Sequence, residues 1–277
     1  MFTDSGRGFQ GSVFVTPLLE KISSQSSIAD QTRSIDESLI RELKDNDIMR
    51  ISASAELGGL GESVVSIANQ LRAIAPGCTS TAWFMWNHLC TFHHFAGLFG
   101  PKNKNFLTQI VANQEWVCFP AGASSKIIGS KTEEGIRLNG VAAFGSGSRY
   151  SEWAGVVFNE DWSADQTPCF SMVDLRKSSV RVEQTWEAMS VRASSTDHIY
   201  YDATVIPEER VVPWPLRHRE NLRDPEYHVI NDRYREDWVG LSVVWLGAMA
   251  TGLVEVSLNE VAASIKERIA IFGTKMV

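Results

Sequence analysis

At Glu115 the hydrophobic rhythm of this chain changes period, and that change restricts the possible architecture more than any other feature. Before it, apolar residues recur at helical spacing. Leu18, Leu19 and Ile22 form one set, and Leu39, Ile40 and Leu43 another, with Asp36 and Glu37 in the first turn, where acidic groups suit the positive end of a helix. "ELGGLGES" then predicts a loop, with Glu62-Ser63 opening a further helix that ends at Pro76-Gly77. "TSTAWFMWNHLCTFHHFAGLFG" is apolar nearly all round, which predicts a helix buried in a helical domain or facing a ligand. After Glu115 come short runs such as "EWVCF", "WAGVVFN", "PCFSMVDL" and "HIYYDATVI", rich in Val, Ile and aromatics and separated by turn residues. "VVPWPLRHRENLRDPEYHVIND" reads as a connector, and a long last helix is expected to begin near Arg233. The expected fold class is therefore α+β. A helical domain over residues 1–114, with a frayed start at 1–12, precedes a central antiparallel β-barrel or sandwich over 115–214; a linker and long helix occupy 215–277. A ligand groove is expected where the domains meet.

Charge and cysteine usage narrow the function. The 277 residues carry a formal net charge of -7 and no dense Lys/Arg run, which argues against a nucleic-acid or anionic-membrane partner. The four cysteines form no CxxC pair, which suits reduced thiols in the cytoplasm, and "MFTDSGRGFQ" shows no apolar signal core. Trp238–Val254 is uncharged and at the lower edge of a membrane-spanning length; the helical continuation beyond it predicts one long helix whose first half is buried among other helices.

Several residues could carry chemistry. In "LNGVAAFGSGSRYSEWAGVVF" a strand-like run breaks at glycine and serine, which marks either a β-bulge or the close approach of a ligand or another backbone. His88 has the residue type for acid–base work near neutrality, against the alternative of a buried imidazole bonded to a carbonyl. Cys90 and His94 share a helical face beside His93, but no third ligand lies near in sequence, so no metal site is expected. Arg192 with Ser194, Ser195 and Thr196 suits either phosphate oxygens or a surface ion pair beside a turn. Trp83, Phe84 and Trp86 suit a core as well as a pocket. Gly58-Gly59-Leu60-Gly61 lacks the Lys-Ser/Thr of a phosphate loop and reads as a helix-joining turn.

"ELGGLG", "STAWFMWNH", "GIRLNGVAAFGSGSRYSEWAGVVF" and "WEAMSVRASSTDHIYYDATVIPEERVV", in that order, resemble the acyl-CoA dehydrogenase superfamily over roughly residues 35–270. The resemblance implies an N-terminal helical domain, a central β-domain and a C-terminal four-helix bundle. Where the dehydrogenases have T-E-x-x-A-G-S-D, this chain has "CFPAGASSK". Gly140, Phe144, Ser146, Gly147 and Trp153 follow the order seen in the two-component flavin-dependent monooxygenases, with Ala142 where that branch has tryptophan and Ser190 where the family has glycine.

The resemblance thus implies an oxidoreductase that takes reduced FMN or FAD from a separate reductase and oxygenates an aromatic or heteroatom-containing small molecule. The alternatives are an acyl-CoA dehydrogenase-like desaturase, or a non-catalytic binding or assembly subunit. Phe119, Pro120, Gly122, Phe144, Ser146, Gly147, Arg192 and Ser194 would bind the flavin, Ser146 by a hydrogen bond near its reactive edge. Phe84, Asn87 and Trp153 would contact substrate, and His88 and Ser146 would act in catalysis. One long helix stands where the family has a bundle, which implies a C-terminal truncation. Val243, Val244, Leu246 and Met249 would then need a partner, from a homo-oligomer or a separate C-terminal polypeptide.

Overall fold

The computed structural model describes residues 14–121, 125–214 and 228–266. Five helices build the first region: α1 (Thr16–Thr32), α2 (Glu37–Asp45), α3 (Val64–Ile74), α4 (Thr79–Phe99) and α5 (Lys104–Ala112). Local chemistry sets their ends. Arg33 stops α1 in the left-handed conformation, the Asp36 carboxylate accepts from the Ser38 N–H to cap α2, and the Ser63 hydroxyl accepts from the Ser66 N–H to cap α3. The apolar sets read from sequence face inward: Leu18, Leu19, Ile22, Leu39, Ile40 and Leu43 are all buried. Helix α4 is buried on nearly every side, because helices pack on one face and the β-region covers the other.

Strands β1 (Val117–Cys118), β2 (Lys126–Thr132), β3 (Gly135–Gly145), β4 (Trp153–Glu160), β5 (Pro168–Asp174), β6 (Val180–Glu183), β7 (Asp197–Ile206) and β8 (Val212–Pro213) form one sheet in the order β6-β7-β3-β2-β4-β5-β8, with β1 beside β4. The sheet is mixed rather than purely antiparallel. The β2–β3 hairpin folds back on itself, so β4 lies against the far edge of β2, and β1–β4 and β2–β4 run parallel. One face of the sheet shares the large core with α4 through Phe119, Phe170 and Met172; Ile127, Ile136, Leu138, Ile199 and Tyr201 close a second core.

A β-bulge immediately precedes the glycine–serine break, which itself forms the turn from β3 toward β4. Ala142 pairs with Ile199 and Gly145 with Asp197, so Ala143 and Phe144 together oppose His198. Phe144 takes a φ of 64°, which turns its half-exposed ring toward the His198 ring, 5.9 Å away. Gly140 has a φ of 136°, and a Cβ there would lie 2.0 Å from the Lys126 carbonyl oxygen, so only glycine lets β2 and β3 close.

Helix α6 (Trp238–Lys266) begins later than the sequence suggested. Near Arg233 the chain instead makes a short 3₁₀ turn, Asp232–Arg235, capped by Asn231. The buried Tyr234 hydroxyl accepts from the Ser54 N–H at 2.9 Å, which holds this turn against the helical region, and extended backbone at Glu236 keeps helix from propagating through it. One face of α6 packs on α3 and α4 through Leu241, Trp245 and Met249; Trp245 donates to the Val64 carbonyl, Trp86 donates to the Ser242 carbonyl, and Arg72 pairs with Glu255. Met249 therefore has its partner within the chain. The other face leaves Val243, Val244, Val254, Leu258, Val261 and Ile265 exposed. Among the described residues α6 is the one helix long and apolar enough to cross a membrane.

Candidate functional site

Among the described residues, two places bring together side chains that the sequence singled out. The first is the seam between α4 and the β3–β4 turn. The Trp83 indole N–H donates to the Ser146 hydroxyl at 3.0 Å, Ser146 bonds Thr196 at 3.0 Å, and Thr196 bonds Ser194 at 2.8 Å. Gly147, with a φ of 80°, lies so close to α4 that a Cβ would sit 3.2 Å from the Phe84 Cβ.

Behind this chain of hydroxyls, the buried Asp197 carboxylate accepts from the Thr185 and Trp186 N–H groups on one oxygen, and from the Ser195 hydroxyl and Arg149 Nε on the other. Arg149 also donates to the Arg33 carbonyl, and the Tyr150 hydroxyl accepts from the Ile35 N–H while donating to the Ala193 carbonyl. The seam thus ties α1, the β3–β4 turn and the segment before β7 together, with its polar groups paired among themselves.

The second place is an open groove of about 810 Å³ on the face of the sheet beside β1 and β2. Phe119, Pro120, Ala121, Trp214 and Trp238 wall it; Ser125, Lys126, Ile128, Val157 and Asn159 also line it. Its aromatic wall is interlocked: His94 stacks on Trp238 at 4.4 Å between centroids and meets Trp214 edge-on at 5.4 Å, and Phe119 lies 5.7 Å from Trp214. The Asn87 side-chain oxygen accepts from the Phe119 N–H at 3.4 Å, and the Ser125 hydroxyl accepts from the Ala143 N–H at 3.0 Å. These bonds fix the two ends of the loop at the groove's rim. The volume, the flat aromatic faces and the few polar groups suit a planar aromatic ring system, and the Lys126 ammonium, together with the Ser125 hydroxyl and the Asn159 amide, suits a negatively charged or carbonyl-bearing edge. An isoalloxazine fits that description.

Comparisons with known proteins fall in line with this geometry. Residues 17–110 match the family model for the acyl-CoA dehydrogenase N-terminal domain. The oxygenase component of p-hydroxyphenylacetate 3-hydroxylase from Acinetobacter baumannii is 27% identical over 202 residues, covering 71% of this chain and 46% of the relative. The fold is that of dibenzothiophene monooxygenase TdsC from Paenibacillus sp. A11-2, solved with FMN and indole, at a TM-score of 0.78, 15% identity and coverage of 92% of this chain and 64% of that one. It is likewise that of XiaF from Streptomyces sp., solved with FADH2 and glycerol, at a TM-score of 0.77, 19% identity and coverage of 92% and 65%. The chain is similar to the acyl-CoA dehydrogenase N-terminal domain over its first helical region, and to hydroxylase oxygenase components over a longer stretch. It spans about half the length of the curated relatives it matches.

Of the residues that the superfamily resemblance singles out, Phe119 and Pro120 line the groove and Asn87 braces Phe119. Phe144 sits exposed on the bulge beside the Ser125–Ala143 bond, facing Trp186 and His198. Gly122 lies outside the described residues. Ser146, Gly147 and Ser194 belong to the closed seam, and Phe84 packs there against Trp116 and Tyr150. Arg192 reaches Asp30 on α1 at 3.4 Å. Trp153 meets Phe106 edge-on and donates to Glu115, on neither the seam nor the groove.

His88 is fully buried; its Nδ1 accepts from the Val117 N–H at 3.0 Å, which places the ring proton on Nε2, and burial pushes its pKa down to about 3. It is a neutral imidazole across the physiological range. Burial likewise pushes the Cys90 thiol up to about 12, and no three metal-ligating side chains converge among the described residues.

Sequence reasoning missed Trp214, Trp238, Ser125 and Lys126, and treated His94 only as a possible metal ligand. A signal was present for the tryptophans. Each stands at the edge of a segment rather than inside an apolar run, Trp214 between two prolines and Trp238 at the start of α6.

Proposed function

We propose that this chain is a flavin-dependent monooxygenase-like oxidoreductase. It would accept reduced FMN or FAD from a separate reductase and oxygenate an aromatic or heteroatom-containing small molecule. One observation carries the reading: a groove of flavin size, walled by Phe119, Trp214 and Trp238, opens on the sheet face beside the loop that distinguishes the branches of the superfamily. The FMN and FADH2 bound to structural relatives, and the hydroxylase name of the curated relative, support it.

The reduced flavin would supply the two electrons that activate molecular oxygen. The chain's own residues do the rest. Trp214 and Trp238 bind flat rings and exclude water, His94 holds Trp238 in orientation by stacking, and the Ser125 hydroxyl, having accepted from Ala143, keeps its proton to donate toward the groove. The desaturase alternative requires a base to take a proton α to a carbonyl, and among the described residues the groove lining contains no Asp or Glu.

The exposed apolar stripe of α6 would pack against a second copy or a separate helical subunit, and the free thiols at Cys78, Cys90, Cys118 and Cys169 fit a soluble cytoplasmic protein. The deciding experiment is an anaerobic titration with reduced FMN and FAD that follows tryptophan fluorescence, followed by admission of oxygen in the presence of aromatic acceptors and native mass determination. Saturable quenching and an oxygenated product are expected. No quenching by either flavin, oxidised or reduced, would overturn the assignment.

A further inference from the structure

The groove's polar lining is asymmetric. Lys126 is its one charged side chain, with no acid in the lining and no ion pair at Lys126 among the described residues. The ladder register shows how this arises. Lys126 pairs with Val141, Val141 with Tyr200 and Tyr200 with Arg181, so these four side chains form one row across the same face of the sheet. A cation stands at each end of that row. Arg181 is neutralised by Glu183 and lies over the Tyr200 ring at 4.2 Å, so its charge is satisfied locally. Lys126 ends at the groove. The tight β2–β3 closure allowed by Gly140 and the Ser125–Ala143 bond hold its backbone in place.

A groove of flat aromatic faces with a single uncompensated ammonium at its edge recognises one kind of molecule: a planar aromatic that carries an anionic group at its rim. We propose that Lys126 is the anion-recognition residue of this groove. It pairs with an anionic oxygen of the bound aromatic and gives anionic ligands preference over neutral ones of the same ring. The inference rests on the groove being the ligand site of the proposed oxidoreductase, and deepens that reading by naming the ligand's charge. The anion has two possible sources, the phosphate of the flavin nucleotide or a carboxylate on an aromatic substrate. A charge-assisted hydrogen bond at the exposed rim of the groove corresponds to a preference of about tenfold, which salt weakens.

Two matched pairs of probes test this, each sharing a ring and differing in charge: FMN against riboflavin, and 2-naphthoate against 2-naphthamide. Dissociation constants come from tryptophan quenching in the wild type, Lys126→Gln and Lys126→Arg, with thermal melting to confirm that the exposed substitutions leave the fold intact. In the wild type, the anionic member of at least one pair is expected to bind about tenfold more tightly. That preference should vanish in Lys126→Gln, persist in Lys126→Arg and shrink at high salt. A preference confined to the first pair assigns Lys126 to the phosphate; one confined to the second assigns it to a substrate carboxylate. Equal binding within both pairs, or a preference that survives Lys126→Gln, overturns the inference even if flavin binds. Failure of both FMN and riboflavin, with a Lys126-dependent naphthoate preference, would sink the flavin reading while leaving the inference standing.

Discussion

The seam and the groove both border α4, through Trp83 in one and Asn87 and His94 in the other, yet they invert each other's chemistry. The seam is rich in hydroxyls, glycine and charge, the composition expected of a cofactor cradle, yet its donors and acceptors bond one another: Trp83 to Ser146, Ser146 to Thr196, Arg149 and Ser195 to Asp197. The groove is poor in polar groups: Lys126, Ser125 and Asn159 line it beside the tryptophans, and Lys126 makes no ion pair among the described residues. Polar residues joining two domains serve cohesion when they satisfy each other. Binding requires surface left unsatisfied, and the aromatic faces of Trp214 and Trp238 supply it.

Three substitutions probe that division. The largest effect belongs to Asp197→Ala, which strips four donors of their acceptor and leaves Arg149 partly buried without its partner. Loss of about 3–5 kcal/mol is expected from chemical denaturation. A loss below about 1 kcal/mol would show that the seam does not hold the domains together.

His88→Asn comes next, with asparagine's oxygen still able to accept from Val117. In the native state the His88 pKa is held at about 3, below its ordinary 6.5, so below pH 6.5 the unfolded chain takes up a proton that the native state refuses. Wild-type stability should therefore fall as pH drops from 6.5 toward 4, with a His88 share of up to about 1.4 kcal/mol per pH unit. The variant should show a flatter acid limb in urea midpoints measured across that range. An unchanged slope would mean that the imidazole is hydrated in solution.

The smallest effect is Gly147→Ala, in which a methyl at positive φ meets Phe84; about 1–2 kcal/mol of stability should be lost. FMN affinity should stay the same, and a change beyond about threefold would put the ligand in the seam and dissolve the distinction between the two regions.

Much of the fold was legible beforehand because helices and strands announce themselves by period. The apolar sets of α1 and α2, the Ser63 cap of α3 and the all-round apolar α4 each depend on neighbours within a few residues. The parallel β2–β4 pairing was not legible, since it depends on which edge of a hairpin a later strand meets. Nor was the late start of α6, which follows from Tyr234 reaching back to Ser54.

The candidate site was legible only in part. Phe119 and Pro120 came from the loop that the resemblance singled out. Trp214, Trp238 and Lys126 did not, being far apart in the chain, and a place at a segment edge is too weak a signal to point to a ligand by itself. Ser146 and Gly147 drew attention through residue type, which cannot reveal whether a hydroxyl's partner is a ligand or Trp83.

What the linear order of residues settled is the sequence of helical region, strands and final helix, because those choices are made by local sterics and by period. What only the folded molecule decided is which polar groups are consumed internally and which remain available. That outcome depends on contacts between Trp83 and Ser146, Arg149 and Asp197, and His94 and Trp238, and no local preference encodes a hydrogen bond or a ring stack between residues so widely separated along the chain.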